Sequence, residues 1–288
     1  MNTEYQIKVT IPSIDWITGT ANSDRGRATI AEIAHEYLNQ QIELGFEPRA
    51  WKSYQYEGWR INGASWGKRA SDDIITFSGE ISHFYWKPLV AYLDTCSRLD
   101  LAVTQWYTEH DINLASKYWQ DINRRAGSEA ITRRYTYITN LLGGDTIYVG
   151  SRSSQAFGRI YDKAMQSLDE HFANAWRWEV ELHKPIALVV LKALDSAEDE
   201  QNTIIAQVKT WFEDRLIRCP FEPKQDTIDI VVPRKRKTRD EQTIEWLEGQ
   251  VSGSVKKLAE RGKISQVLEA LGLVGYADEL YRKKTNQR

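Results

Sequence analysis

The sequence predicts an α+β fold: two related units, each an antiparallel sheet covered by helices, followed by a C-terminal helical tail. Three observations predict it. The order strand, helix, strands occurs twice along the chain. Ile14-Asp15-Trp16-Ile17 in the first round resembles Leu99-Asp100-Leu101-Ala102 in the second. From residue 240 onward the apolar spacing becomes helical. The expected boundaries are residues 1–95 for the first unit, 96–232 for the second and 233–288 for the tail.

In the first round, Ile7, Val9 and Ile11 alternate before Pro12, and Ile14 to Thr18 continue the strand. Ser23-Asp24 caps a helix whose apolar positions, Ile30, Ile33, Ala34, Tyr37, Leu38 and Ile42, fall on one side. Gly45 closes it. From Trp51 to Gly79 the period drops to two, and Asn62-Gly63 between the runs marks a hairpin. His83 to Leu93 reads as helix. In the second round, Cys96 to Gln105 is a strand, Asp111 to Arg125 a helix and Ile131 to Thr139 a strand. Thr146 to Ser151 and Gly158 to Lys163 are short strands, and Trp176 to His183 is a longer one. Ile186 to Leu194 and Thr203 to Arg218 read as helices, with a short strand at Ile228 to Val232. Residues 240–260 and 263–283 form the helical tail.

Composition sets outer limits. The chain has 288 residues, 41% hydrophobic and 27% charged, which excludes collagen-like and disordered classes. Its longest apolar run, Ile186 to Leu191, is far shorter than the roughly 20 residues a membrane span needs. The amino terminus lacks the basic-then-apolar pattern of a signal peptide, so the expectation is a cytoplasmic protein with no membrane partner. Cys96 and Cys219 are too few for a disulfide framework or a four-cysteine zinc site. Charge is uneven. Residues 233–288 hold 13 Lys/Arg against 8 Asp/Glu, a net of +5, while the rest hold 25 against 32, a net of −7. The run Arg234-Lys235-Arg236-Lys237 opens this positive tail, and either a solvated surface or a polyanion contact accounts for it. The two apolar series of the tail need a surface to pack on: the body of the chain, a second copy in a homodimer, or another protein.

Three strands place charged groups on one face, because residues two apart in a strand point the same way. Arg98 and Asp100 share a face opposite Leu99, Leu101 and Val103. Arg177, Glu179, Glu181 and His183 share one opposite Trp176, Trp178, Val180 and Leu182. Arg159, Tyr161 and Lys163 share one opposite Ile160. Each alone fits a solvated antiparallel strand. Together they supply carboxylates for a hard divalent cation, basic groups for phosphate oxygens and a tyrosine hydroxyl as nucleophile, which is the equipment of phosphoryl transfer.

The same residues carry a resemblance. Ser97-Arg98-Leu99-Asp100-Leu101-Ala102, then Tyr148-Val149-Gly150-Ser151-Arg152 with Arg159-Ile160-Tyr161-Asp162-Lys163, then Trp176-Arg177-Trp178-Glu179-Val180-Glu181-Leu182 resemble the ordered motifs of the Rep_trans replication initiators. These are rolling-circle initiators of plasmids and filamentous phages, with related relaxases of integrative elements. The resemblance spans roughly residues 5–195. It implies an HUH-like nickase fold with a carboxylate metal site, Tyr161 as the nicking tyrosine, and a divalent cation held by Asp100 and one or both of Glu179 and Glu181. By their charge, Lys163, Arg159, Arg98, Arg177 and Arg152 would orient the DNA backbone and offset the charge of the phosphorane, with Lys163 a catalytic candidate. The substrate would be single-stranded or hairpin origin DNA, with host helicase and polymerase acting afterwards. A conjugative relaxase and a non-catalytic DNA-binding regulator are the rival readings.

Many rolling-circle nickases use a histidine–hydrophobic–histidine motif for their metal. The five histidines here, His35, His83, His110, His171 and His183, form none. Carboxylates in that place point to Mg²⁺ or Mn²⁺. His183 reads as a surface residue beside Glu181, and Gly143-Gly144-Asp145 as a hairpin turn. No Gly-x-x-x-x-Gly-Lys-Ser/Thr occurs, so a helicase would be a separate protein. Of Trp51, Trp59 and Trp66, two are expected in the core and the exposed one is available to stack on bases. Asp15 becomes a site candidate only if the two units are duplicates.

Overall fold

The computed structural model describes residues 7–53, 55–107, 135–138, 144–167, 169–215, 217–224 and 252–263, with single positions at 120, 266 and 269. They fall in two compact units, Met1–Val232 and Pro233–Arg288. In the second unit the described helix is Ser252–Glu260. The expected helix at 111–125, the strand at 228–232, the basic run at 234–237 and most of the tail lie outside the described residues.

The first unit is built on one mixed-length antiparallel sheet. Its strands are β1 (Ile7–Ala21), β2 (Arg49–Ser53), β3 (Tyr56–Ile61), β4 (Ala64–Lys68), β5 (Asp73–Ser78), β6 (Thr95–Tyr107), β7 (Tyr135–Ile138), β8 (Thr146–Val149), β9 (Ala156–Asp162) and β10 (Ala175–His183). Their order is β2-β3-β4-β5-β1-β6-β10-β9-β8-β7. Each half therefore repeats one plan: a long strand, then a four-strand meander whose last member returns beside that strand. The two halves repeat this strand plan within one compact unit, Met1–Val232, and pairing of β1 with β6 joins them in a single sheet.

Local chemistry accounts for the elements. Asn62 and Gly63 both take positive φ, 29° and 78°, which gives the tight β3–β4 turn the twist that two-residue hairpins need. Pro12 lacks an N–H for a ladder, and it sits where β1 pairs with β6 alone, because β5 joins only from Trp16 onward. Helix α1 (Asp24–Glu43) starts at Ser23, whose side chain accepts from the Gly26 N–H, and ends before Gly45 at φ 89°. It buries Ile30, Ala34, Tyr37 and Gln41, spaced by three and four.

Helices α2 (Glu80–Val90), α4 (Ile186–Asp195) and α5 (Glu200–Glu213) join α1 on one face of the sheet, while α3 (Lys163–Ser167) follows β9 directly. Tyr37 of α1 and Tyr85 of α2 pack on Phe77 of β5, and Phe212 of α5 meets the edge of Trp178 on β10. Cross-strand register puts Phe77, Ile17, Leu99 and Leu182 on that same face. The core thus lies between helices and sheet, and the alternate residues of every strand face the other way. Among the described residues no helix is long and apolar enough to cross a membrane.

Candidate active site

The face away from the helices carries the charged side chains. In β10, Arg177, Glu179 and Glu181 lie opposite Thr104, Ala102 and Asp100 of β6 on one side, and opposite Tyr161, Arg159 and Phe157 of β9 on the other. Alternation alone sends them there, since Trp176, Trp178, Val180 and Leu182 are consumed by the core. A pocket of about 400 Å³ opens over this region. Arg98, Asp100, Arg159, Tyr161, Lys163 and Glu179 line it, so six residues singled out in the sequence converge on one cavity.

Asp15 and Trp16 also line the pocket. Asp15 sits at a bulge, between the register pairs Ile14–Leu101 and Trp16–Asp100, which brings it beside Asp100 at the junction of the two halves. Its Oδ1 accepts from Arg177 Nη1 at 2.7 Å, and Arg177 Nε donates to Thr104 Oγ1 at 2.9 Å. Sequence makes Asp15 a candidate only through a duplication of the two halves; its place in the pocket comes from the β1–β6 junction and the Arg177 contact. Trp16 was not singled out, although it adjoins Asp15; its ring lies 4.2 Å beneath the Arg98 guanidinium.

The charges interlock. Arg98 Nε and Nη2 donate to the two Asp100 oxygens at 2.9 and 2.5 Å, and Nη2 also lies 3.0 Å from Glu181 Oε2. Arg159 Nη2 donates to Glu179 Oε1 and stands 3.8 Å from Asp100 Oδ2. The Tyr161 hydroxyl donates to Glu179 Oε2 at 2.8 Å. Asp100 and Glu179 are each only 1% exposed, so both need a counter-charge at close range. Arg159 Nε is buried and has no acceptor among the described residues.

Titration follows from this crowding. Burial pushes the Asp100 carboxyl well above the usual carboxylate range; Arg98 pulls it back and Glu179 pushes it up again. Burial, then Glu179, holds the Tyr161 phenol well above its ordinary value, against the pull of Arg177. The Lys163 ammonium is lowered by burial and by Arg177. Tyr161 is therefore a protonated phenol in this arrangement, and ionising it requires more positive charge in the pocket.

The carboxylates fit a hard divalent cation as a pair. Asp100 and Glu179 reach toward one guanidinium nitrogen of Arg159, and both offer oxygen donors in a buried pocket. Mg²⁺ is commonly held by one or two carboxylates, with water and a substrate phosphate completing its shell. Among the described residues no three carboxylate, imidazole or thiolate groups gather around a single point. Glu181 does not line the pocket; its oxygens are engaged by Arg98 and lie 3.0 Å from His183 Nε2, a contact outside hydrogen-bond angle. Arg152 stands apart from the pocket on the β8–β9 turn, its guanidinium 5.8 Å from the Tyr148 ring and 5.6 Å from that of Phe157. Tyr148 itself is a lining residue.

A family model described as replication initiation factor matches residues 94–271. No curated protein matches the chain. Among solved structures, a rolling circle replication initiator protein from Geobacillus stearothermophilus is similar at 18% identity, covering 70% of this chain and 85% of that one, with a TM-score of 0.48.

Proposed function

The chain belongs to the replication initiation factor family, and from that premise we propose that it nicks and rejoins DNA at a replication origin to start rolling-circle replication. The observation that carries this reading is the Tyr161 hydroxyl bonded to Glu179 inside a pocket shared with Asp100, Lys163 and two arginines. A lone buried tyrosine in a structural role would not need three cations lining the same pocket. Single-stranded origin DNA, or an extruded hairpin, brings the scissile phosphate between Arg98 and Arg159. Arg159 Nε, buried without an acceptor, supplies a donor for a phosphate oxygen.

Tyr161 attacks phosphorus, its oxygen forming the new P–O bond as the bond to the 3′ oxygen breaks. Glu179, holding the hydroxyl at Oε2, receives the phenolic proton. Arg177, pinned by Asp15 and Thr104, stabilises the charge that develops on the phenolic oxygen. Lys163, made more acidic by burial and Arg177, protonates the departing 3′ oxygen. The products are a 5′-phosphotyrosyl enzyme and a free 3′-hydroxyl, and rejoining is the reverse transesterification. Asp100 with Glu179 would hold a divalent cation, which supplies Lewis-acid polarisation of the phosphoryl oxygen when bound. Glu181 serves by holding Arg98.

The test is to mix the protein with a labelled single-stranded oligonucleotide spanning the origin, in the presence of Mn²⁺. A denaturation-resistant adduct of protein and DNA supports nicking. A complex that forms without any covalent species contradicts it and leaves a DNA-binding regulator.

A further inference from the structure

The sheet face that carries the pocket continues across the N-terminal half, where, apart from Ile74, the side chains between β1 and β3 become small. Cross-strand register sets Thr18 beside Thr76, Thr76 beside Ser65, and Gly67 beside Gly58, from β1 to β3. The Trp16 indole N–H donates to Thr18 Oγ1 at 2.8 Å, and the Thr18 and Thr76 hydroxyls are 2.9 Å apart, so a row of hydroxyls leads away from the pocket. Strands lie about 4.8 Å apart, which places β2 about 19 Å from β1.

Two features stand at the far end. Trp51 of β2 lies against Gly67, where a Cβ would come within 2.7 Å of its ring, and stacks on Tyr56 with centroids 6.4 Å apart and 15° between planes. Trp51 is only half-buried, whereas Trp59 and Trp66 are buried. Beside it, Arg49 and Arg60 are direct cross-strand neighbours, both exposed. Among the described residues no carboxylate pairs with either. Like charges in that position repel, so an anion from outside the chain is what the pair lacks. An aromatic stack next to an arginine pair, on a shallow face of small residues, has the chemistry of a single-strand path: bases on rings, phosphates on guanidinium groups.

We propose that the Trp51–Tyr56 stack and the Arg49–Arg60 pair bind single-stranded DNA a few nucleotides from the scissile phosphate. The surface rests on the nicking reading only for its distance from the cut; its affinity for single strands is measured separately.

The probe is a fluorescein-labelled oligo(dT) of about 20 nucleotides, followed by anisotropy. Arg49→Ala with Arg60→Ala should weaken binding about tenfold and flatten the dependence of log K on log salt by about 1.4. Trp51→Ala should weaken it about tenfold or more, and Trp51→Phe should recover most of the loss. Lys87→Ala with Lys192→Ala removes the same charge on the helix-covered side and should stay within twofold. Because Trp51 packs on Gly67, the exposed arginine pair carries the test if Trp51→Ala fails to fold. Affinity of the arginine double variant within twofold of the parent overturns the proposal, as does an equal loss in the lysine control. A missing covalent adduct would count against nicking and leave this comparison standing.

Discussion

Tyr161 and Glu179 lie on adjacent strands of one sheet and meet through a single 2.8 Å hydrogen bond, both side chains buried. The partner of Tyr161 is thus the carboxylate that also receives Arg159. The residues proposed as nucleophile, proton acceptor and phosphate-binding cation are joined in one chain of contacts, so substitution of any member should disturb the others.

Asp100→Asn and Glu179→Gln should each lower nicking by about a hundredfold or more, because a neutral amide is a poor ligand for a hard cation and leaves an arginine short of its counter-charge. Removal of divalent ions with EDTA should match them. Glu181→Gln should cost about tenfold or less, since Glu181 acts through Arg98. Cleavage assays on the same oligonucleotide, with and without restored Mn²⁺, decide this; full activity in EDTA contradicts the carboxylate site.

Asp15→Ala removes the counter-charge of Arg177, a side chain only 6% exposed. Loss of one member of a buried pair costs about 3 kcal/mol, so chemical denaturation should shift by that order. Nicking should fall even at temperatures where the variant remains folded, because Arg177 is no longer pinned beside Tyr161. A stability change with unaltered nicking would assign Asp15 to structure alone.

The basic tail gives a separate expectation. Truncation after Val232 should weaken binding to origin duplex and flatten its salt dependence, while cleavage of a short single-stranded oligonucleotide remains nearly intact. Insolubility of the truncated chain, or an equal fall in short-oligonucleotide cleavage, would assign the tail to completing the fold.

Much of this site is legible in the sequence because strand alternation is a local property. Arg98 with Asp100, and Arg177 with Glu179 and Glu181, share faces by spacing alone, and the tryptophans between them mark the buried side. Pairing is not local. The spacing of Glu179 and Glu181 is uninformative about which one reaches Tyr161; the β9–β10 register decides it by setting Tyr161 beside Arg177 and Arg159 beside Glu179. The bulge at Asp15 turns it toward Arg177, and only the β1–β6 junction exposes that neighbour. The same junction makes one sheet of two. Trp51 differs from Trp59 and Trp66 because the latter two point toward α1, where His35 packs against both rings.

The central claim is that Tyr161 is the atom donor of a covalent DNA bond, and the most direct measurement is mass-spectrometric mapping of the adduct formed with a single-stranded origin oligonucleotide and Mn²⁺. The nucleotide-bearing peptide should be the one containing Tyr161, and Tyr161→Phe should abolish the adduct while retaining the fold and most DNA affinity. An adduct on Tyr148, the other tyrosine lining the pocket, or an undiminished adduct in the Phe variant, would contradict the account.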